Sequence, residues 1–142
     1  MLTATKKFRF EMAHMLSKHP SLCRNVHGHS YVLEVTAIAN NNDCDMVVDF
    51  SDLKQLVNSV IVDKMDHAFA YDNNSIDECE NEIVAVLHKY NKKIIPFYGR
   101  PTAEIMCQEI FRKLSDAAQG QRYSISKVRL YETESGWVEY AD

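Results

Sequence analysis

From Lys6 to His14 apolar and polar residues alternate without a break. Phe8, Phe10, Met12 and His14 share one face of an extended chain, and Lys7, Arg9, Glu11 and Ala13 share the other. This period of two predicts a strand. A second run from His29 to Ala39 is apolar and β-prone; extended, it puts His27, His29, Tyr31, Leu33 and Val35 on one side and Ser30, Val32 and Glu34 on the other. Residues 15–25 between them mix Ser, Lys, Pro and Asn and read as a loop, so the two strands are predicted antiparallel neighbours. After a turn at Asn40–Asp43 and a short strand at Met46–Phe50, the period changes. Leu53, Leu56, Val57, Val60 and Ile61 recur at helical spacing behind Ser51 as N-cap. A loop at Tyr71–Ser75 leads to a second helix from Glu80 to Tyr90 and an apolar, extended run at Lys93–Phe97. A third helix starts behind Thr102, carries Ala103, Cys107, Ile110, Phe111 and Leu114 on one face, and ends at Gly120. Tyr123–Thr133 and Trp137–Tyr140 form a closing hairpin around Ser135-Gly136.

Strands at both ends of the chain with helices between them predict the α+β class, a four-stranded antiparallel sheet with helices on one face. On this reading Phe8, Phe10, Leu33 and Val35 also leave the second sheet face apolar. A second subunit is expected to cover it.

Composition narrows the class. The 142 residues, 46% hydrophobic and 25% charged, contain no repeat or linker and form one domain, 1–142. A net charge of -4 argues against nucleic acid as partner, although clusters such as Lys6-Lys7-Phe8-Arg9 leave room for a small anion. Nothing approaches a membrane span or a signal peptide, and the cysteines at 23, 44, 79 and 107 form no disulfide-like spacing. A cytoplasmic protein is expected.

Candidate chemistry concentrates in Cys23-Arg24-Asn25-Val26-His27-Gly28-His29. Two imidazoles on one strand face form half of a zinc chelate, and His14 at the end of the preceding strand supplies a third. His-x-His alone is commonly just two strand histidines; the convergence with His14 raises the metal reading. Cys23 lies close enough to act as a thiolate, against the ordinary alternative of a small buried hydrophobe. Asp66-His67 pairs a carboxylate with the residue that titrates nearest neutrality, although such pairs at helix ends are usually solvated caps. Glu104 falls in a helix's first turn, where the macrodipole alone would account for it. Glu132, inside the last long strand, is either an exposed edge residue or a carboxylate awaiting paired N–H donors.

His14 in Phe10-Glu11-Met12-Ala13-His14, Cys23-x-x-x-His27-Gly28-His29, Asp66-His67, Pro101-Thr102-Ala103-Glu104 and Glu132-Thr133 resemble, in order, the signatures of the 6-pyruvoyltetrahydropterin synthase / 6-carboxytetrahydropterin synthase family. The resemblance spans essentially the whole chain. Glu132-Thr133 followed by Ser135, Trp137 and Tyr140 is more similar to the bacterial 6-carboxytetrahydropterin branch, which serves queuosine synthesis. The resemblance implies a tunnelling fold whose sheets join in trimers into a barrel, two trimers stacking as a hexamer. It implies Zn²⁺ on His14, His27 and His29, and Cys23 as acid/base thiolate with Asp66 and His67 as its proton relay. It implies Glu132 as pterin anchor, with Thr102 and Glu104 lining the pterin pocket. The implied enzyme is a lyase acting on 7,8-dihydroneopterin triphosphate with release of triphosphate and acetaldehyde; the pyruvoyl reaction of the biopterin branch is the alternative. Ile105, where many relatives have Asn, and Met12, where they often have Ala, depart from the pattern without touching a catalytic group. For the triphosphate, charge alone nominates Lys18, Arg24 and Arg100.

Two other classes compete. His27-x-His29 with Glu34 fits the opening of a cupin metal motif, but the helical middle of the chain and the opposite facing of Glu34 oppose it. A zinc-binding homologue without activity would require none of Cys23, Asp66, His67 and Glu132.

Overall fold

Alternate burial begins at Phe8 and persists to the end of the first strand, β1 (Thr3–His14), as its pattern requires. The computed structural model describes residues 1–41 and 45–142. Asn42 and Asp43 of the predicted turn, and Cys44, lie outside the described residues. β1 pairs antiparallel with β2 (His27–Ala39), from Thr3 opposite Ile38 to His14 opposite His27. β2 pairs with β5 (Tyr123–Tyr131) and β5 with β6 (Trp137–Ala141), both antiparallel. A bulge at Thr36/Ala37 interrupts the β2–β5 ladder, and the Ser126 hydroxyl donates to the Thr36 carbonyl there.

Among the described residues the sheet has six strands, not four, in the order β4-β3-β1-β2-β5-β6. The two additional strands are β3 (Ala68–Asp72) and β4 (Ile94–Phe97), and both run parallel to β1. β4 falls on the predicted extended run. β3 replaces the first part of the predicted Tyr71–Ser75 loop. Its first three residues are all buried, so Ala68-Phe69-Ala70 shows none of the alternation that marks a one-sided strand.

The expected Met46–Phe50 strand is absent. The chain instead enters α1 (Phe50–Val57) with Asp49, not Ser51, as cap: the Asp49 carboxylate accepts from the Ser51 backbone N–H and its hydroxyl. One wider turn, Asn58–Val62, carries the helix into α2 (Asp63–Met65). α3 (Glu78–Lys89) and α4 (Ala103–Ala117) follow, capped by Asp77 and Thr102.

The sheet's faces also differ from expectation. Phe8, Phe10, Leu33 and Val35 are buried within this chain, in one core with Leu53, Val57 and Ile61 beside α4's Met106, Ile110 and Leu114. The opposite face is polar, crossed by Lys7–Glu34 at 3.1 Å and Arg129–Glu139 at 2.7 Å. Those four apolar residues therefore carry no argument for a second subunit, because the period of two marks a buried face without saying which layer buries it.

Candidate metal centre and active site

The histidines lie where β1 ends and β2 begins. The ladder sets His14 opposite His27, and the pleat turns His29 to the same side, so the ring centroids stand 4.6–5.2 Å apart. His14 is fully buried. Its Nδ1 lies 2.8 Å from the Pro101 carbonyl, and the His27 Nδ1 lies 2.7 Å from the Asn25 carbonyl. A carbonyl can only accept, so both rings carry their proton on Nδ1 and present a bare Nε2. The two Nε2 atoms are 3.1 Å apart. Facing lone pairs at that distance call for a cation between them; two nitrogens bound tetrahedrally at the usual zinc distance would be separated by about 3.3 Å. Ligand atoms of His14, His27 and His29 all lie within 4.8 Å of one another. These residues therefore fit a metal ion held by three histidines.

Electrostatics favour the same state. Burial pushes the His14 pKa down to about 4, with the neighbouring imidazoles adding to the effect, so the ring is neutral and available at pH 7. His29 is also lowered, first by burial, against the opposing pull of Glu132. The Glu132 Oε1 stands 3.3 Å from the His29 Nε2 and 3.5 Å from the His14 Nε2. Glu132 lies one residue past β5, where its backbone N–H donates to the Gly136 carbonyl at the base of the hairpin. Its carboxylate thus faces the metal position, not the outer edge of the sheet. Beneath the cluster Tyr31 is buried against the His29 and His14 rings, with its hydroxyl unpartnered among the described residues.

Asp66 and His67 form a second arrangement at the α2–β3 turn. The Asp66 Oδ1 accepts from the Glu11 N–H at 2.9 Å, and its Oδ2 lies 3.0 Å from the His67 Nδ1. The Glu11 N–H, followed by His67 and Lys93, holds the Asp66 carboxyl below the usual range. His67 adopts φ 64°, an uncommon conformation for a residue with a Cβ, and its N–H donates to the Glu11 carbonyl at 2.6 Å. Lys93 was not anticipated: its ammonium donates to the carbonyls of Asp63 and Asp66, each at 2.6 Å, and ties the turn to the start of β4. A groove of about 340 Å³ has His67 and His29 in its walls, with Gly28 between strands. A Cβ at Gly28 would stand 3.2 Å from the Met12 carbonyl, so the glycine admits the close approach of the β1 backbone here.

The other candidates occupy the same end of the molecule. Cys23 is half-buried with a free thiol in a single 3-10 turn, Leu22–Arg24, and its carbonyl accepts from the Leu16 N–H. Thr102 caps α4 by accepting from the Ile105 N–H, and Glu104 is exposed in the next turn. Thr102 follows directly on Pro101, whose carbonyl orients His14, and Glu104 comes two residues after Thr102. Cys107, by contrast, is buried beneath β5, its thiol pushed up to about 11 by burial. A cavity of about 520 Å³ lies outside α4 among Phe97, Arg112 and Tyr140, with none of the three histidines in its lining.

A metal-ready histidine triad on the first two strands of a helix-backed sheet, with an aspartate–histidine pair beside it, belongs to the tunnelling-fold enzymes. Their 6-pyruvoyl tetrahydropterin synthase family matches residues 3–142, and this chain belongs to it. Within the family it is a lyase of the bacterial 6-carboxytetrahydropterin branch. It is 40% identical to the 6-carboxy-5,6,7,8-tetrahydropterin synthase of Haemophilus influenzae over the full length of both chains. Its identity to the Aquifex aeolicus protein of the same name is 33%, covering 97% of this chain and 96% of that one. An uncharacterised Wolinella succinogenes protein has the same fold, with TM-score 0.81 at 20% identity over 99% of this chain and 98% of that one. The Plasmodium vivax 6-pyruvoyltetrahydropterin synthase follows at TM-score 0.72 and 17% identity, over 100% and 99%.

Proposed function

We propose that the protein is a zinc-dependent 6-carboxy-5,6,7,8-tetrahydropterin synthase of the cytoplasm, serving 7-deazaguanine and queuosine synthesis. It would take 7,8-dihydroneopterin triphosphate and release triphosphate and acetaldehyde. The observation that carries this reading is the pair of bare Nε2 atoms on His14 and His27, 3.1 Å apart, in a chain full-length similar to synthases of that name. His14, His27 and His29 would hold Zn²⁺, which when bound supplies a Lewis acid for the oxygens of the substrate side chain.

The chain's own groups do the rest. Cys23, as thiolate, takes and returns protons on the side-chain carbons. Asp66 holds His67 at 3.0 Å and makes it the relay through which that proton leaves. Glu132 accepts from paired N–H donors of the pterin and orients it toward the histidines, and Thr102 and Glu104 line the pterin pocket. Association into a hexamer, as a dimer of trimers, completes the barrel; the outer edges of β4 and β6, unpaired among the described residues, support it.

The test is product analysis by mass spectrometry after incubating zinc-loaded protein with 7,8-dihydroneopterin triphosphate. Acetaldehyde with 6-carboxytetrahydropterin is the expected outcome. Pyruvoyltetrahydropterin would move the protein to the biopterin branch, and zinc binding without turnover would make it a non-catalytic homologue.

A further inference from the structure

Because β1, β3 and β4 run parallel, the segments that leave their carboxyl ends emerge on one side of the sheet. Ser17 and Lys18 follow β1, Asn74 and Ser75 follow β3, and Arg100 follows β4; together they wall a cavity of about 420 Å³. The carboxyl ends of parallel strands are where open sheets ordinarily receive anionic ligands. We propose that this cavity is an oligophosphate site and, resting on the substrate reading above, that it receives the triphosphate of the substrate.

Two of the three cations nominated by charge meet here, while Arg24 does not line the cavity. The Arg100 guanidinium donates to the Ser17 carbonyl at 3.3 Å, which ties the β1 loop to the β4 loop and leaves its other N–H groups available. Lys18 is exposed and, among the described residues, has no ion-pair or hydrogen-bond partner. Its backbone sits at φ 62°, a conformation that disfavours side chains with a Cβ and that is kept here at a cavity wall. One neutral donor completes the lining: the Asn74 side-chain amide is unpartnered among the described residues, whereas Ser75 accepts from the Asp77 N–H and turns its hydroxyl to the Glu80 carboxylate. Asp72 also lines the cavity, with its Oδ1 occupied by the N–H groups of Asn74 and Gly99.

The position suits the substrate. Lys18 is four residues beyond His14, and Arg100 immediately precedes Pro101, whose carbonyl holds the His14 ring. A substrate whose side-chain oxygens reach the histidine centre carries its triphosphate at the end of that same short side chain, so its anion must lie beside the centre.

The experiment uses the zinc-loaded protein and sodium tripolyphosphate as probe, by titration calorimetry at low ionic strength, together with KM for 7,8-dihydroneopterin triphosphate. Lys18→Gln removes an exposed charge without removing a structural contact; Arg100→Gln is the second variant and Lys54→Gln, remote on α1, the control. Each of the first two is expected to weaken tripolyphosphate binding and raise KM about tenfold, the weight of one charge-assisted hydrogen bond. Zinc content should stay unchanged, and the control should match the wild type. Tripolyphosphate affinity within twofold of wild type in Lys18→Gln would overturn the site. Weakened tripolyphosphate binding with unchanged KM would overturn its assignment to the substrate. A wild type that binds tripolyphosphate through Lys18 but turns over no substrate would support the site and refute the substrate reading alone.

Discussion

Two imidazole environments in this molecule differ in everything but the ring. His14 is fully buried, fixed by a backbone carbonyl and held neutral; His67 is 77% exposed at a left-handed turn, with a carboxylate 3.0 Å away. The first has lost its choice of protonation state and gained a directed lone pair, which a metal requires. The second keeps access to solvent and a carboxylate within reach of its ring nitrogen, as a relay requires. Location in the fold decides between them: a strand end under the helices in one case, a two-residue turn outside them in the other.

The largest test of this contrast is His14→Ala, expected to abolish stoichiometric zinc and turnover; full zinc by metal analysis would refute a centre built on His14. Next comes Cys23→Ala, which should keep zinc and lose turnover by about 100-fold or more. Retained activity would remove Cys23 from the acid/base role. The metal-free protein sharpens the comparison through pH. The His14 pKa is lowered to about 4, so between about 6.5 and 4 the unfolded chain binds more protons than the folded one. Stability must therefore fall as pH falls through that window, by up to about 3 kcal/mol, and saturating zinc should oppose the loss. Urea melts at stepped pH measure it. Lys93→Met, which frees the Asp63 and Asp66 carbonyls, should lower kcat several-fold and shift its pH profile while leaving zinc content intact. The smallest effect is Thr102→Ala, about 1 kcal/mol of stability from the lost α4 cap.

Where one side of an element is buried, the chain's periodicity foretold it. β1, β2, β5 and α4 stand close to where alternation and helical spacing put them, and the convergence of His14 with His27 and His29 follows from two adjacent strands in register. What alternation could not reveal was burial on both sides. Ala68-Phe69-Ala70 reads as featureless because every side chain has the same fate, and with it the parallel half of the sheet stayed hidden. The Asp49 cap was masked by Ser51, an equally good capping residue two positions on. Lys93 and the Pro101 carbonyl left no trace for another reason. Lys93 meets the carbonyl of Asp66, 27 residues away, and His14 that of Pro101, 87 residues away, and a carbonyl has no residue type.

The Pro101 carbonyl couples two parts of the molecule that would otherwise be independent. It orients the innermost ligand, yet it belongs to the segment that starts α4 and continues into Thr102 and Glu104. A ligand that draws on that segment shifts the acceptor of the Nδ1 proton, and with it the basicity of the nitrogen on the other side of the ring. On the proposed reading, metal affinity would thereby be a gauge of how α4 is loaded. Reciprocity makes the gauge two-way: whatever factor a bound pterin applies to the metal constant, the metal must apply to the pterin's.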